Sequence, residues 1–187
     1  MYSTTDFRNG LKIEIDNEPY IIVQFQHVKP GKGGAFVRTK IKHMITGRVL
    51  DPTFRSGDKV GKPDLESVSA QYLYSDGEDY HFMNTSSFEQ IRMSAESLGT
   101  TTNFLKEEMQ VDLLIYNGAP INIELPNFVE LLVTQADPGL KGDTASGAQK
   151  PVTMETGLQV NVPLFINEGD VLKIDTRTSS YSEKVNK

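Results

Sequence analysis

Cysteine is absent from the 187-residue sequence, which excludes disulfide bonds, thiolate nucleophiles and cysteine-based zinc sites. Histidine is scarce, and none of the three present has a partner at the usual spacing of metal ligands (His27, His43 and His81). No apolar run approaches the roughly 18–20 residues of a membrane-spanning helix, and the N-terminus lacks the unbroken apolar stretch of a signal peptide. We therefore expect a cytoplasmic protein that binds no membrane, metal or cofactor, and few residues are available for the chemistry of an enzyme.

Charge is distributed unevenly along the chain, which carries a net charge of −6. Residues 1–63 contain 11 Lys and Arg against 6 Asp and Glu, residues 64–128 contain 2 against 11, and residues 129–187 contain 6 against 8. No acidic residue lies between Glu18 and Asp51, a stretch whose cations are Lys29, Lys32, Arg38, Lys40, Lys42 and Arg48. Such a stretch is the electrostatic signature of phosphate binding, although a solvated basic face would have the same composition.

Short segments of alternating apolar and polar residues, separated by turn residues, predict an almost entirely β structure. Near the N-terminus the clearest strands are Leu11–Ile15, Tyr20–Gln26 and Ala35–Lys42. In the middle of the chain, Asp76-Gly77 and Asn117-Gly118 each stand between alternating runs and predict the turns of two hairpins. The sequence therefore predicts an all-β fold.

One segment, Ser86–Gly99, has the spacing of a helix, with Ser87 as its cap and Gly99 as its stop. In the last third, strands are predicted at residues 128–138, 151–156, 158–165 and 170–177. Strands this short are typical of sandwiches or barrels, and small barrels of about 60 residues each suit the length better than one sandwich. The turn at residues 61–64 and the pair Pro126-Asn127 divide the chain into predicted domains 1–63, 64–127 and 128–187.

Two glycine-rich loops are candidates for binding. The first, residues 29–34, reads KPGKGG, and its Lys32 has no adjacent residue that could bury it or pair with it. Such a lysine can reach into a crevice or carry a modification, although an ordinary flexible turn has the same composition. The second, residues 142–147, has GxxxxG spacing, but Ala148 and Gln149 follow where a P-loop requires Lys and Ser or Thr. It is predicted as a surface loop of small hydrogen-bonding residues that could contact the backbone of another macromolecule.

Residues 142–181 read GDTASGAQKPVTMETGLQVNVPLFINEGDVLKIDTRTSSY, and residues 9–60 include the lysine-tipped hairpin KPGKGGAF in a basic domain. In both regions, and over the whole chain, the sequence resembles the bacterial translation elongation factor P family. Residues 142–181 match that family's C-terminal signature almost position for position. A paralogous family has a degenerate version of the loop at residues 142–147, whereas this sequence retains it in full.

The resemblance implies three small β-barrels, one KOW/SH3-like and two of the OB fold, in an L-shaped, tRNA-like arrangement. It implies a factor that binds both ribosomal subunits between the peptidyl-tRNA and exit sites and relieves stalling at consecutive prolines. Lys32 would contact the acceptor end of peptidyl-tRNA and carry a covalent modification added by a lysine-modifying enzyme. The rest of its tip loop would be Lys29, Pro30, Gly31, Gly33 and Gly34, and the contacts to tRNA and ribosomal RNA backbones would be Arg38, Lys40 and Lys42.

On the small subunit, the resemblance implies a loop that faces the exit-site codon, formed by Gly142, Asp143, Thr144, Ala145, Ser146 and Gly147. Arg177 and Tyr181 would make further small-subunit contacts. The lysine at position 32 argues against the rhamnosylated arginine of some lineages. The pair Gly33-Gly34 stands where lineages that use β-lysylation often have Gly-Gln, so the kind of lysine modification, if any, stays open.

Two other classes of function stay open from the sequence. An OB-fold RNA-binding module would stack bases on aromatic residues. However, the most aromatic stretch, residues 72–82, lies in the acidic middle of the chain, where RNA is repelled. A small hydrolase would use Asp, Glu and His, but the sequence has no nucleophile elbow, metal-ligand spacing or triad candidate.

Overall fold

The computed structural model describes residues 1–139 and 147–185, and the predicted all-β fold is confirmed in them. The strands in chain order are β1 (Tyr2–Ser3), β2 (Lys12–Ile15), β3 (Glu18–Val28), β4 (Phe36–His43), β5 (Val49–Leu50), β6 (Thr53–Arg55), β7 (Lys59–Val60), β8 (Leu65–Ser75), β9 (Asp79–Asn84), β10 (Gln90–Ser94), β11 (Gln110–Tyr116), β12 (Ala119–Glu124), β13 (Phe128–Ala136), β14 (Gln149–Met154), β15 (Gln159–Pro163), β16 (Val171–Asp175) and β17 (Ser180–Lys184). The helical elements described are α1 (Ala95–Leu98) and two 3-10 turns, Thr4–Asp6 and Gly99–Phe104.

The described strands form sheets in the orders β2-β3-β4-β5, β10-β9-β8-β11-β12 and β15-β14-β13-β16-β17; β6 also pairs with β4, and β1 pairs with β7. The chain folds into two compact units. The first consists of Met1–Ser67 with Leu114–Asn122, and the second of Val68–Leu113 with Ile123–Lys187. The division into domains 1–63, 64–127 and 128–187 stays a prediction.

The core of the first unit follows from the alternation of its strands. Ile13, Ile22, Val37 and Ile41 are almost completely buried and pack in one cluster. The turn between β2 and β3 is formed by Asp16 and Asn17, whose φ angles are 52° and 62°. Two successive residues with positive φ match the right-handed twist of a two-residue hairpin, and this turn fixes which side chains of β3 face the core.

The core of the second unit includes side chains from all the strands of the C-terminal sheet except β17. Leu131, Val133, Met154, Leu172 and Ile174 are at most 1% exposed and belong to one cluster. In the predicted strands at 128–138, 151–156, 158–165 and 170–177, buried residues alternate with exposed or half-buried ones over most of each strand's length. Strands are therefore present where the sequence predicted them, each with one buried face.

The predicted helix at Ser86–Gly99 is wrong over most of its length. Ser87 lies in a turn, and β10 pairs with β9 from Gln90 opposite Met83 to Ser94 opposite Asp79. The segment becomes a strand because it completes a sheet edge and buries Met93, a tertiary gain that overrides weak helical spacing. Within the predicted range, the α-helix is limited to α1. The Ser94 hydroxyl caps its N-terminus, and it ends at the predicted stop, Gly99.

None of the helices in residues 1–139 and 147–185 is long and apolar enough to cross a membrane.

Candidate nucleic-acid interface

The lysine-tipped loop is the apex of a long antiparallel hairpin. The part of the β3–β4 ladder nearest the loop runs from Gln24 opposite Lys40 to Val28 opposite Phe36, so the loop that it closes is centred on Lys32. All six residues from 29 to 34 are exposed. Gly33 has a φ of 105°, a conformation that favours glycine and turns the chain back towards β4. The structure thus presents Lys32 to solvent at the far end of a paired stem about 13 Å long.

The outer face of the same hairpin carries a row of cations. Along β4, the residues Val37, Thr39 and Ile41 are buried, whereas Arg38, Lys40 and Lys42 are exposed. Within residues 1–139 and 147–185, none of these three cations forms an ion pair, nor do Lys29 and Lys32 at the tip. We call the outer face of β3, β4 and β6 the basic face; its cations keep their charge available for an external anion.

A β-bulge in β3 adds two glutamines to the basic face. Ile22 pairs with Ile41, but the next pair is Gln24 with Lys40, so Val23 is an extra residue in the ladder. In a regular strand of the same sequence, Gln24 and Gln26 would share the buried face with Ile22, because side chains alternate along a strand. The bulge turns them outward, opposite Lys40 and Arg38 respectively. The alternation of residues in β3 does not indicate this bulge, so the sequence analysis did not identify either glutamine as a candidate site residue.

The connection between β5 and β6 borders the basic face next to β4. Thr39 is buried, and its hydroxyl donates a hydrogen bond to the carbonyl oxygen of Pro52 at 2.8 Å, while its backbone N–H donates to the same oxygen at 3.0 Å. These bonds hold the neighbouring Asp51 and Thr53 beside β4. β3, β4 and the segment from Asp51 to Thr53 form the walls of an open groove of about 240 Å³. Its lining residues are Gln24, Phe25, Gln26, Arg38, Thr39, Lys40, Asp51 and Thr53.

One cation of the basic face is held by an aromatic ring. The Arg38 guanidinium carbon lies 5.5 Å from the centre of the Phe36 ring, two residues along the same strand. Stacking on a ring restricts the arginine without using its N–H donors. Arg38 can therefore bind a phosphate with little further ordering of its side chain.

The predicted small-subunit contacts have a different electrostatic environment. Arg177 forms two hydrogen bonds to the Asp175 carboxylate, from Nε at 3.1 Å and from a terminal nitrogen at 2.8 Å. This pairing lowers the pKa of Asp175 and raises that of Arg177. Arg177 also lies 5.5 Å from the centre of the exposed Phe128 ring. Its charge is thus largely satisfied within the second unit.

The other predicted contacts of this region are only partly described. Tyr181 pairs with Ile174 and packs against the core of the second unit, so its ring is half-buried rather than free. Gly147 is exposed with a φ of 97°. Gly142, Asp143, Thr144, Ala145 and Ser146 lie outside the described residues.

The acidic turn at Asp76 has a structural role. Asp76 accepts a hydrogen bond from the His81 ring at 3.0 Å and from the backbone N–H groups of Asp79 and Glu78, which together lower its pKa to about 2. The His81 ring also stacks on Tyr74, with ring centres 4.5 Å apart. Over residues 1–139 and 147–185, no group of His, Asp and Glu is arranged to hold a metal ion.

The fold and the basic face together define an all-β, multi-domain protein that presents exposed cations of the kind that contact nucleic-acid backbones. Three family models match the chain in succession: the elongation factor P KOW-like domain at residues 3–60, the elongation factor P OB domain at residues 65–123, and the elongation factor P C-terminal domain at residues 129–184. The chain therefore belongs to the elongation factor P family and is a translation elongation factor that acts in association with the ribosome.

Individual proteins agree with the family models. The elongation factor P of Maridesulfovibrio salexigens is 61% identical over 181 residues, which cover 97% of each chain. That of Natranaerobius thermophilus is 56% identical over 185 residues, covering 99% of this chain and 98% of the relative. Among solved structures, the eukaryotic translation initiation factor 5A from Methanococcus jannaschii is 21% identical, with a TM-score of 0.52 over 66% of this chain and 93% of the other. This last likeness supports the all-β fold alone.

Proposed function

We propose that the protein binds the ribosome between the peptidyl-tRNA and exit sites and stimulates peptide-bond formation where consecutive prolines stall translation. In this proposal the Lys32 loop positions the acceptor end of peptidyl-tRNA, and the protein performs no acid–base chemistry of its own. The observation that carries the proposal is the exposed Lys32 at the apex of the β3–β4 hairpin, above a face with three exposed cations.

The geometry of the hairpin suits a bracing role. The paired stem is stiff, whereas the tip has no side chain large enough to shield the lysine on either side. An ammonium group inserted among phosphates is desolvated and little screened, so a single charge contributes more there than on an open surface. A covalent extension of Lys32 would lengthen this reach, which is why we propose the side chain as the modified residue.

The proposed effect on rate comes from alignment of the reactants. Proline has a fixed φ and a hindered nitrogen, so a proline substrate is easily misaligned. Misalignment forfeits part of the large effective molarity that two well-oriented reactants possess. A factor that holds the acceptor end of peptidyl-tRNA in place restores this alignment without itself reacting.

The remaining predicted contacts complete the proposed binding mode. Arg38, Lys40 and Lys42 would neutralise phosphates of tRNA and ribosomal RNA, contacts that position the factor without reading sequence. The loop at residues 142–147, together with Arg177 and Tyr181, would face the small subunit near the exit-site codon. In cells the protein would work in the cytoplasm, where its partners are both ribosomal subunits, peptidyl-tRNA and an enzyme that modifies Lys32.

The test is reconstituted translation of a reporter that contains three consecutive prolines, with a proline-free reporter beside it. The parent protein, purified from its native source so that any modification is retained, is expected to relieve the stall on the first reporter and leave the second unchanged. Lys32→Ala should abolish the effect with no change in melting temperature, since the side chain is exposed.

The matched control is Lys62→Ala, which removes an exposed lysine of the same unit away from the hairpin. It should stimulate translation as the parent does. Full stimulation by Lys32→Ala, or no stimulation by the native parent, would contradict the proposal. Intact-mass analysis of the native protein checks the modification: an adduct that maps to Lys32 is expected, and an unmodified mass would remove that part.

A further inference from the structure

We propose that the groove on the basic face reads one nucleotide of the RNA on which the factor sits, through the side-chain amides of Gln24 and Gln26. This inference rests on the proposed function and adds to it a contact that depends on nucleotide chemistry rather than on charge.

The bulge in β3 places each glutamine of the groove beside a cation. Gln24 stands opposite Lys40, and Gln26 stands opposite Arg38, so each amide has a cation as its direct neighbour on the ladder. Directly opposed side chains have Cβ atoms about 5 Å apart, within reach of one nucleotide. Bulges commonly re-aim side chains beside functional sites. Here the extra residue, Val23, moves two amides from the core side to the cationic side.

The side-chain amides of Gln24 and Gln26 can form hydrogen bonds that the neighbouring cations cannot. A glutamine side chain has both N–H donors and a carbonyl acceptor. It can pair with the edge of a base or with a 2′-hydroxyl, whereas lysine and arginine on phosphate give affinity without information. Neither glutamine forms a side-chain hydrogen bond within residues 1–139 and 147–185, and both are exposed. Their amides are therefore available to a ligand.

The charges that line the groove define the direction in which a nucleotide would lie. Arg38 and Lys40 line one part of the groove, and Asp51 also lines it. A carboxylate repels a phosphate but accepts hydrogen bonds from base amino groups and ribose hydroxyls. The phosphate therefore belongs on the two cations, and the base or ribose belongs against the amides and Asp51. The volume of about 240 Å³ is below the roughly 300–1,000 Å³ of sites that enclose a drug-sized ligand, so the groove suits the base or the ribose of one nucleotide, with the rest of the RNA outside it.

The experiment measures how tightly fluorescently labelled factor binds ribosomes that carry peptidyl-tRNA in the peptidyl site, at several salt concentrations. Gln24→Ala/Gln26→Ala should weaken binding about ten-fold at every salt concentration, because hydrogen bonds to a nucleotide release no counterions. Lys40→Ala should instead reduce the slope of log affinity against log salt by about 1. Gln159→Ala, an exposed strand glutamine outside the groove, is the matched control and should bind as the parent does.

Parental affinity in the double glutamine variant would overturn the inference while leaving the proposed function intact. The inference would also be overturned if the double variant lost affinity with the same change as Lys40→Ala in the slope of log affinity against log salt. The glutamines would then act only through the neighbouring charge. If the parent itself fails to bind this ribosome complex, the proposed function fails, and this inference fails with it.

A second measurement separates RNA from protein as the occupant. The photoreactive residue p-benzoylphenylalanine is placed at position 26 of the full chain, and the ribosome complex is irradiated. Adducts to tRNA or ribosomal RNA are expected. Adducts confined to ribosomal proteins would overturn the assignment of the groove to a nucleotide.

Discussion

The most quantitative prediction concerns the salt dependence of ribosome binding. Lys40 and Lys42 are exposed on the basic face and form no ion pair in the described part of the chain, so replacing both with alanine should leave the fold intact. Each phosphate contact contributes about 0.7–0.9 to the slope of log affinity against log salt. The double variant should therefore have a slope smaller by about 1.4–1.8. Between about 50 and 200 mM salt, the parent should lose about 7–12 times more affinity than the variant does.

The assay is the binding of labelled factor to ribosomes with peptidyl-tRNA in the peptidyl site, titrated at four or more salt concentrations. The matched control is Lys59→Ala/Lys62→Ala, which removes the same charge from two exposed lysines of the same unit outside the basic face. It should keep the parental slope. An unaltered slope in Lys40→Ala/Lys42→Ala would refute phosphate contact by these residues. An equal decrease in the control would mean that net charge, not the position of the cations, governs binding.

The remaining predictions concern stability. Leu131→Ala should lower the free energy of unfolding by about 2–5 kcal/mol, because removing a fully buried side chain leaves a cavity. Leu132→Ala, at the neighbouring residue that is 37% exposed, should lower it far less. Urea denaturation of the parent and both variants measures the difference. Tyr116→Phe should cost about 1 kcal/mol in the same assay, since the buried hydroxyl donates to the backbone oxygen of Asn17 at 3.0 Å. The pKa of Asp76 is lowered from 3.8 to about 2, so its stabilising effect is complete above about pH 4 and lost as the pH falls through 2. The free energies of unfolding of the parent and of Asp76→Asn should therefore converge as the pH falls from about 4 to below about 2. NMR titration of Asp76 should have its midpoint near pH 2; a midpoint near 3.8 would contradict the hydrogen-bond geometry.

Local patterns in the sequence predicted most of the fold. The pair Asn117-Gly118 predicted a hairpin turn, and these residues have φ angles of 49° and 78° between β11 and β12. The alternation in Ala35–Lys42 predicted which residues of β4 face the core, and Arg38, Lys40 and Lys42 are exposed accordingly. Both features depend on a few consecutive residues, because turn chemistry and strand periodicity are local.

Most features that the sequence did not predict depend on how two segments pair, and not on the pattern within one segment. Whether Ser86–Gly99 forms a helix or a strand is decided by β9, which offers a sheet edge, and not by the segment's own spacing. The bulge at Val23 is decided by the match between two strands, so no pattern within β3 alone contains it. The pairing of Arg177 with Asp175 is a short-range exception, since a spacing of two residues does not by itself indicate an ion pair.

The cations of the two units differ in how their charge is satisfied. In the second unit, Lys173 and Lys184 lie 2.9 Å from Glu183 and Asp170 respectively, and Arg177 is paired with Asp175. Such pairs stabilise a surface only slightly, but they leave little charge for a partner. On the basic face, Arg38, Lys40 and Lys42 lie on one strand at intervals of two residues and have no acidic partner among the described residues.

Neighbouring like charges on one strand repel each other, so the row on β4 weakens the free protein slightly and is not explained by folding. Phosphates that neutralise the cations would remove this repulsion. Relief of the repulsion would therefore add to the free energy of binding a nucleic acid. In the proposed binding mode, the residues of the basic face have different roles. Lys40 and Lys42 would contribute affinity that salt removes, whereas the two outward-facing glutamines beside the bulge would contribute hydrogen bonds that salt leaves in place. Such a surface would hold its partner by charge and set its register by hydrogen bonds.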